Sequence, residues 1–125
     1  MSEQLLLIDG DTNRQNNFAS RLRVQGYDVE LPNGGFHALH LVEKVDYFAV
    51  IIIGNTQDMP GLEILSLMRN HKDKEGLPII YINKTTNQDD VLSAFEYGAN
   101  DFIVYSPQCF NSVVEKLKKF KRGVK

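Results

Sequence analysis

Three carboxylates stand just beyond apolar runs. Asp9 and Asp11 flank Gly10 directly after residues 5–8 (LLLI), and Asp58 follows Gly54-Asn55-Thr56-Gln57 after residues 48–53 (FAVIII). If those runs are parallel strands, the acids sit at the carboxyl ends, where open sheets bind ligands and do chemistry. Two acids that close could hold a divalent cation, and a lone carboxylate could attack as a nucleophile. Each has a plainer use. Asp9 suits a turn, Asp11 a helix cap, and Asp58 a turn beside Met59-Pro60-Gly61. The residue that closes the central run is Ile53, which carries neither charge nor nucleophile. His37, His40 and His71 lack metal-ligand spacing, so a zinc site is not expected. Cys109 falls near the start of the last helical pattern, but no histidine or motif accompanies it, so a catalytic role is not expected.

The elements that must position these groups alternate in type. Residues 5–8 read as a first strand, and Asp11 or Thr12 can cap a helix that carries Phe18 and Leu22 and stops at Gly26. Residues 27–31 alternate apolar and acidic, the pattern of a half-exposed edge strand. After the turn Pro32-Asn33-Gly34-Gly35, a second helix carries Ala38, Leu39, Val42 and Val45. Residues 48–53, unbroken and rich in β-branched side chains, read as a strand buried on both faces. Gly61 opens a third helix with Leu62, Leu65, Leu67 and Met68. Residues 79–82, closed by Asn83, make a fourth strand. Thr86 or Asn87 caps a fourth helix, with Val91, Leu92 and Phe95 expected inward and Gly98 at its end. Residues 102–104 form a fifth strand, and Ser106-Pro107 should open a fifth helix with the stripe Phe110, Val113, Val114, Leu117 and Phe120. Five strand–helix repeats predict an α/β sheet with helices on both faces and right-handed crossovers.

The 125 residues suit a single domain, 1–125, with ordinary apolar content. Fourteen basic and 16 acidic residues leave a net charge of −2, which gives no general reason to expect nucleic acid or membrane. One cysteine excludes an internal disulfide. No apolar run approaches the roughly 20 residues of a membrane span, and MSEQ before LLLIDGD lacks the marks of a signal peptide, so a cytoplasmic location is expected. Six of the 14 basic residues lie from Lys116 onward (Lys116, Lys118, Lys119, Lys121, Arg122, Lys125), a solvated helix face or an acidic-partner patch.

With those pieces placed, the chain resembles the receiver domain of bacterial two-component response regulators along essentially its whole length. The resemblance rests on LLLIDGD, MPGLEILSLMR, LPIIYIN and EYGANDFIV at receiver spacings. It implies a flavodoxin-like (βα)5 doubly wound three-layer sandwich with a five-stranded parallel sheet in the order 2-1-3-4-5. It also implies Mg2+-assisted phosphoryl transfer onto an aspartate in functional members. The acidic pair maps onto Asp9 and Gly10, so one acid is missing, and Asp11 lies one residue late. The acceptor position, counted back from Gly61-Leu62-Glu63, is Ile53. Asn55 keeps the position whose backbone carbonyl binds metal. The hydroxyl position is Asn83, the lysine position Tyr105, and the aromatic switch position Phe102.

The expectation is a pseudo-receiver: a signalling module in a phosphorelay-type system, not an enzyme, with no cofactor and Mg2+ at most weakly held. Its catalytic set is empty, with Asp9, Asp11 and Asn55 a vestigial metal site. It acts on a protein partner through the fourth-helix, fifth-strand, fifth-helix face, with Tyr97, Phe102, Tyr105, Lys116 and Lys119 as contacts. A homodimer stays open. Two alternatives remain. One is phosphorylation at an unexpected acid such as Asp58. The other is a small-ligand or nucleic-acid binder using the crevice, a flavin phosphate on Gly10-Asp11-Thr12-Asn13 included, or the basic last helix.

Overall fold

A computed structural model describes residues 3–84 and 87–123, with side chains through residue 120. Strands and helices alternate: β1 (Gln4–Asp9), α1 (Thr12–Val24), β2 (Asp28–Glu30), α2 (Gly35–Lys44), β3 (Ala49–Ile53), α3 (Gly61–Met68), β4 (Ile79–Asn83), α4 (Gln88–Glu96), β5 (Asp101–Val104) and α5 (Cys109–Gly123). All strand pairs are parallel, in the order β2-β1-β3-β4-β5. The expected doubly wound five-stranded sandwich is therefore the observed fold.

Period-2 alternation divides the central strands between two cores. Leu5, Leu7, Ile51, Ile53, Ile80 and Ile82 face α1 and α5, where they meet Phe18, Leu22, Phe110, Val113 and Leu117. Leu6, Ile8, Val50, Ile52, Ile79 and Tyr81 face α2 and α3, where they meet Val42, Ile64, Leu65 and Met68. Each fully buried Leu or Ile contributes roughly 1.5–3 kcal/mol, so the two layers hold the strand ends in fixed register. That register sets Asp9 against Ile53, Ile53 against Ile82, and Asn83 against Val104. The same end of the sheet thus gathers the carboxyl ends of β1, β3, β4 and β5. No helix among the described residues is long and apolar enough to cross a membrane.

Two sequence expectations fail locally. Leu92 and Phe95 were expected inward but are 51% and 38% exposed, and Ala94 is the buried residue of α4. This helix lies over the sheet margin, where β5 is only four residues long and its two ends are only partly covered. The small side chain of Ala94 is the one buried there, and the larger ones stay exposed. The fifth helix opens at Cys109 rather than at Pro107, because Pro107 and Gln108 form a turn closed by Cys109 N–H to Ser106 C=O at 3.1 Å. Asn87 caps α4 through Asp89 N–H; the other cap candidate, Thr86, and the basic Lys125 lie outside the described residues, as do the side chains of Lys121 and Arg122.

Candidate functional site

The crevice at the carboxyl end of the sheet is built around an ion pair. Asp9 ends β1 with a fully buried side chain, and Arg14 reaches back to it from the first turn of α1. The guanidinium grips the carboxylate with two bonds, Nε to Oδ2 and Nη2 to Oδ1, both 2.7 Å. Such a planar fork is the strong form of the Arg–carboxylate interaction. Asp9 Oδ1 also accepts the Asp11 N–H at 2.9 Å. Asp11 turns the other way and caps α1, accepting the Arg14 N–H at 3.0 Å. The cap therefore fixes the helix turn that aims Arg14 at Asp9. The hydrogen bond to Asp9 raises the Arg14 pKa, against the lowering effect of burial. Arg14 lies over the Tyr105 ring at 5.2 Å, a cation–π contact.

The other side chains that line the crevice around this pair include no acid among the described residues. Ile53 is 2% exposed and packs into the α1/α5 core. Gly54 follows it at φ +63°, a left-handed conformation that suits glycine. Gly10, onto which the resemblance maps the second acid, is tightly covered: a Cβ there would lie 2.5 Å from the Asn55 carbonyl oxygen. The Asn55 side chain turns away and accepts the Gly61 N–H at 2.8 Å, serving the start of α3. Asn83 Oδ1 accepts the Lys84 N–H at 2.8 Å, and Tyr105 N–H donates to the Asn83 carbonyl at 2.8 Å. Arg14, Ile53, Gly54, Ile82, Asn83, Lys84 and Tyr105 line a crevice of about 170 Å³.

This donor set does not fit magnesium. Mg2+ asks for one or two free carboxylates in near-octahedral array. Both Asp9 oxygens are held by Arg14, position 10 has no side chain, and Ile53 offers no oxygen. No group of three His, Cys, Asp or Glu residues among the described residues could hold a metal ion. His71 faces Glu43 at 3.2 Å, and His37 Nδ1 accepts the Asn33 N–H. Cys109 is buried in the core. In the Gly10-Asp11-Thr12-Asn13 turn, the Asp11 N–H is already committed to Asp9.

Asp58, the alternative acceptor, has a structural occupation. Helix α2 begins at Gly34-Gly35, which has no capping side chain of its own. The Asp58 carboxylate supplies one from the β3–α3 loop, accepting Gly35 N–H at 2.9 Å and Phe36 N–H at 3.2 Å. It also accepts the Thr56 hydroxyl at 2.6 Å. The hydroxyl first, then the two amides, hold its pKa down to about 2.

The expected partner contacts have different immediate neighbours. Tyr97 is 48% exposed and shares a shallow cleft with Leu62, Glu63 and Ser66 of α3. Tyr105 is half-buried under Arg14, in the crevice. Phe102 is half-buried against Tyr81, ring centroids 5.9 Å apart. Lys116 pairs with Asp101 at 2.7 Å, and Lys119 is exposed. The exposed apolar residues of this side are Leu92, Phe95, Tyr97 and Val104.

Arg14 escaped the sequence reading. Its signal was an arginine in the first helical turn five residues after a strand-end aspartate, with no lysine at position 105. The Asp58 cap also had a signal, a helix opening on two glycines with orphan N–H groups to satisfy.

The family model described as the response regulator receiver domain matches residues 5–107. The transcriptional regulatory protein HprR of Escherichia coli (strain K12) is 27% identical over 115 residues, covering 92% of this chain and 50% of HprR. The chain thus spans about half the length of that relative. A two-component response regulator from Clostridium difficile superposes with a TM-score of 0.86 at 21% identity, covering 97% of each chain. The response regulator TrrA of Thermotoga maritima, crystallised with Mg2+ and BeF, gives 0.82 at 25% identity, covering 94% of this chain and 98% of TrrA.

Proposed function

The chain belongs to the response regulator receiver domain family, and from that premise we propose that it is a pseudo-receiver, a two-component signalling module that does not use aspartyl phosphorylation. One observation carries the reading: Arg14 holds both oxygens of Asp9, beside an all-carbon Ile53 at the acceptor position. A receiver reaction needs a nucleophilic carboxylate, a metal and a cation to spread charge over the transferring oxygens. Here the guanidinium sits on the one acid that would recruit the metal. It neutralises that acid, which leaves the crevice no free carboxylate to draw a metal. Tyr105 replaces the lysine as a ring beneath Arg14.

Such a module would act in the cytoplasm through protein contacts rather than as an enzyme. The α4–β5 side supports this, since Leu92, Phe95, Tyr97 and Val104 leave apolar area exposed; anchors of this type carry much of the energy in protein interfaces. Lys119 adds a cation at the neighbouring helix. Whether the partner is a second copy is read from the oligomeric state.

The test is incubation with acetyl phosphate and Mg2+, followed by intact mass. The unmodified mass is expected. An acid-labile phosphate, on Asp58 or any other acid, would sink the proposal.

A further inference from the structure

We propose that the cleft between the first half of α1 and the β5–α5 loop binds a small organic anion, a phosphate or carboxylate carried on a flat apolar group. This cleft is about 360 Å³, adjoins the crevice over Ile53, and shares Arg14, Lys84 and Tyr105 with it. That volume falls in the roughly 300–1,000 Å³ range of small-molecule sites.

Its charge runs against that of the chain. Arg14, Arg21 and Lys84 line the cleft, with Asp11 the one acid among its described lining residues; Asp9 offsets Arg14, so Arg21 and Lys84 are the cations in excess, on a chain of net charge −2. Asp11 is turned to cap α1. Asp9 takes the Nε and Nη2 groups of Arg14, which leaves Nη1 outside that pair. Arg21 stacks on the Phe110 ring at 4.1 Å, and among the described residues neither it nor Lys84 has an acidic partner. Three cations drawn to one concavity, two without counter-charge, make a local positive field that concentrates anions.

The walls add the apolar half of the specificity. Tyr105 and Phe110 line the same space as the cations. Tyr105 already holds Arg14 over its face and Phe110 holds Arg21, so both guanidiniums are fixed in orientation. An anion that spans Arg14 and Lys84 would lay its apolar part along these rings. The site would then give the module a reversible input that makes no covalent bond.

The experiment is a titration of the protein, followed by 1H–15N NMR, with phenyl phosphate, benzoate and inorganic phosphate. Phenyl phosphate is expected to shift the Lys84 and Tyr105 amides and the Arg14 and Arg21 Nε signals. It should bind more tightly than inorganic phosphate, and more weakly as salt rises. Benzoate against phenyl phosphate tells which anion the cleft prefers. The double substitution R21Q/K84Q, both exposed positions, should weaken binding by about tenfold with the rest of the spectrum unchanged. If that variant does not fold, K84Q alone serves. Shifts that are absent at millimolar probe, fall on Lys116–Lys119 instead, or persist undiminished in the variant would overturn the site. Benzoate cannot transfer a phosphoryl group, so its binding tests the cleft whether or not the phosphorylation-independent reading holds.

Discussion

Arg14 Nε and Nη2 each lie 2.7 Å from an oxygen of Asp9, in a pocket where the Asp9 side chain has no solvent exposure. A receiver fold ordinarily leaves such an acid for a metal. Here a side chain five residues on supplies the counter-charge, and the chain carries its own cation in the crevice.

Removing that cation should cost stability. Arg14→Ala leaves a buried carboxylate with one amide donor, and the loss is expected at about 2–3 kcal/mol, because Arg14 keeps partial exposure. Urea unfolding measures it. The double substitution D9N/R14Q should recover part of that loss, since no unpaired charge remains. A double variant as unstable as R14A alone would show that packing, not charge, is at issue.

An acid placed at position 10 should not be accommodated, for a steric reason. Gly10→Asp brings a Cβ to 2.5 Å from the Asn55 carbonyl oxygen, closer than real contacts allow. The β3–α3 loop must move, and Asn55 anchors that loop to α3 through Gly61 N–H. A destabilisation of about 2 kcal/mol or more is expected, read as a lower thermal midpoint. Mg2+ should not raise it back, because Arg14 still holds Asp9.

The sheet was legible because burial and local pattern agreed. AVIII at residues 49–53 and LLLI at 5–8 are strands by composition, and the two cores alternate along them as the period requires. The helix α4 was misread because apolar spacing says which face is greasy, not whether the sheet extends far enough to cover it. Leu92 and Phe95 are left exposed. That Ile53 closes the central strand could be counted, since it ends an unbroken apolar run. The occupation of the crevice by Arg14 could not, because it depends on a cap at Asp11 aiming a long side chain across a turn. The basic residues of α5 were visible as composition, yet Lys116 is already paired with Asp101.

Arg69 should be the costliest polar side chain to lose. Its Nε donates to Gly98 C=O at 2.7 Å, Nη1 to the carbonyls of Lys72, Asp73 and Leu77, and Nη2 to Asn100 Oδ1 at 2.7 Å. Together these tie the end of α3, the loop before β4 and the loop before β5. Arg69→Met keeps the bulk but strands those acceptors, and about 3 kcal/mol of destabilisation is expected. Arg69→Lys should recover little, since one ammonium cannot reach five acceptors spread over two loops. Chemical denaturation of the three proteins decides this.

Asp58 should set an acid limit to the stability of α2. Its carboxyl is held down to about 2 in the folded chain, chiefly by the Thr56 hydroxyl and then by Gly35 and Phe36 N–H, against roughly 3.9 when free. A depressed acid contributes stability that is fully present above the free value. That contribution falls away as pH drops from about 4 through 2. The Gly35 and Phe36 amides should therefore titrate together by NMR with a midpoint near 2. Asp58→Asn keeps one acceptor oxygen, so it should abolish this titration and speed hydrogen exchange in the first turn of α2 while leaving α4 and α5 unchanged. A Gly35 amide that titrates near 4 would mean that Asp58 does not cap this helix in solution.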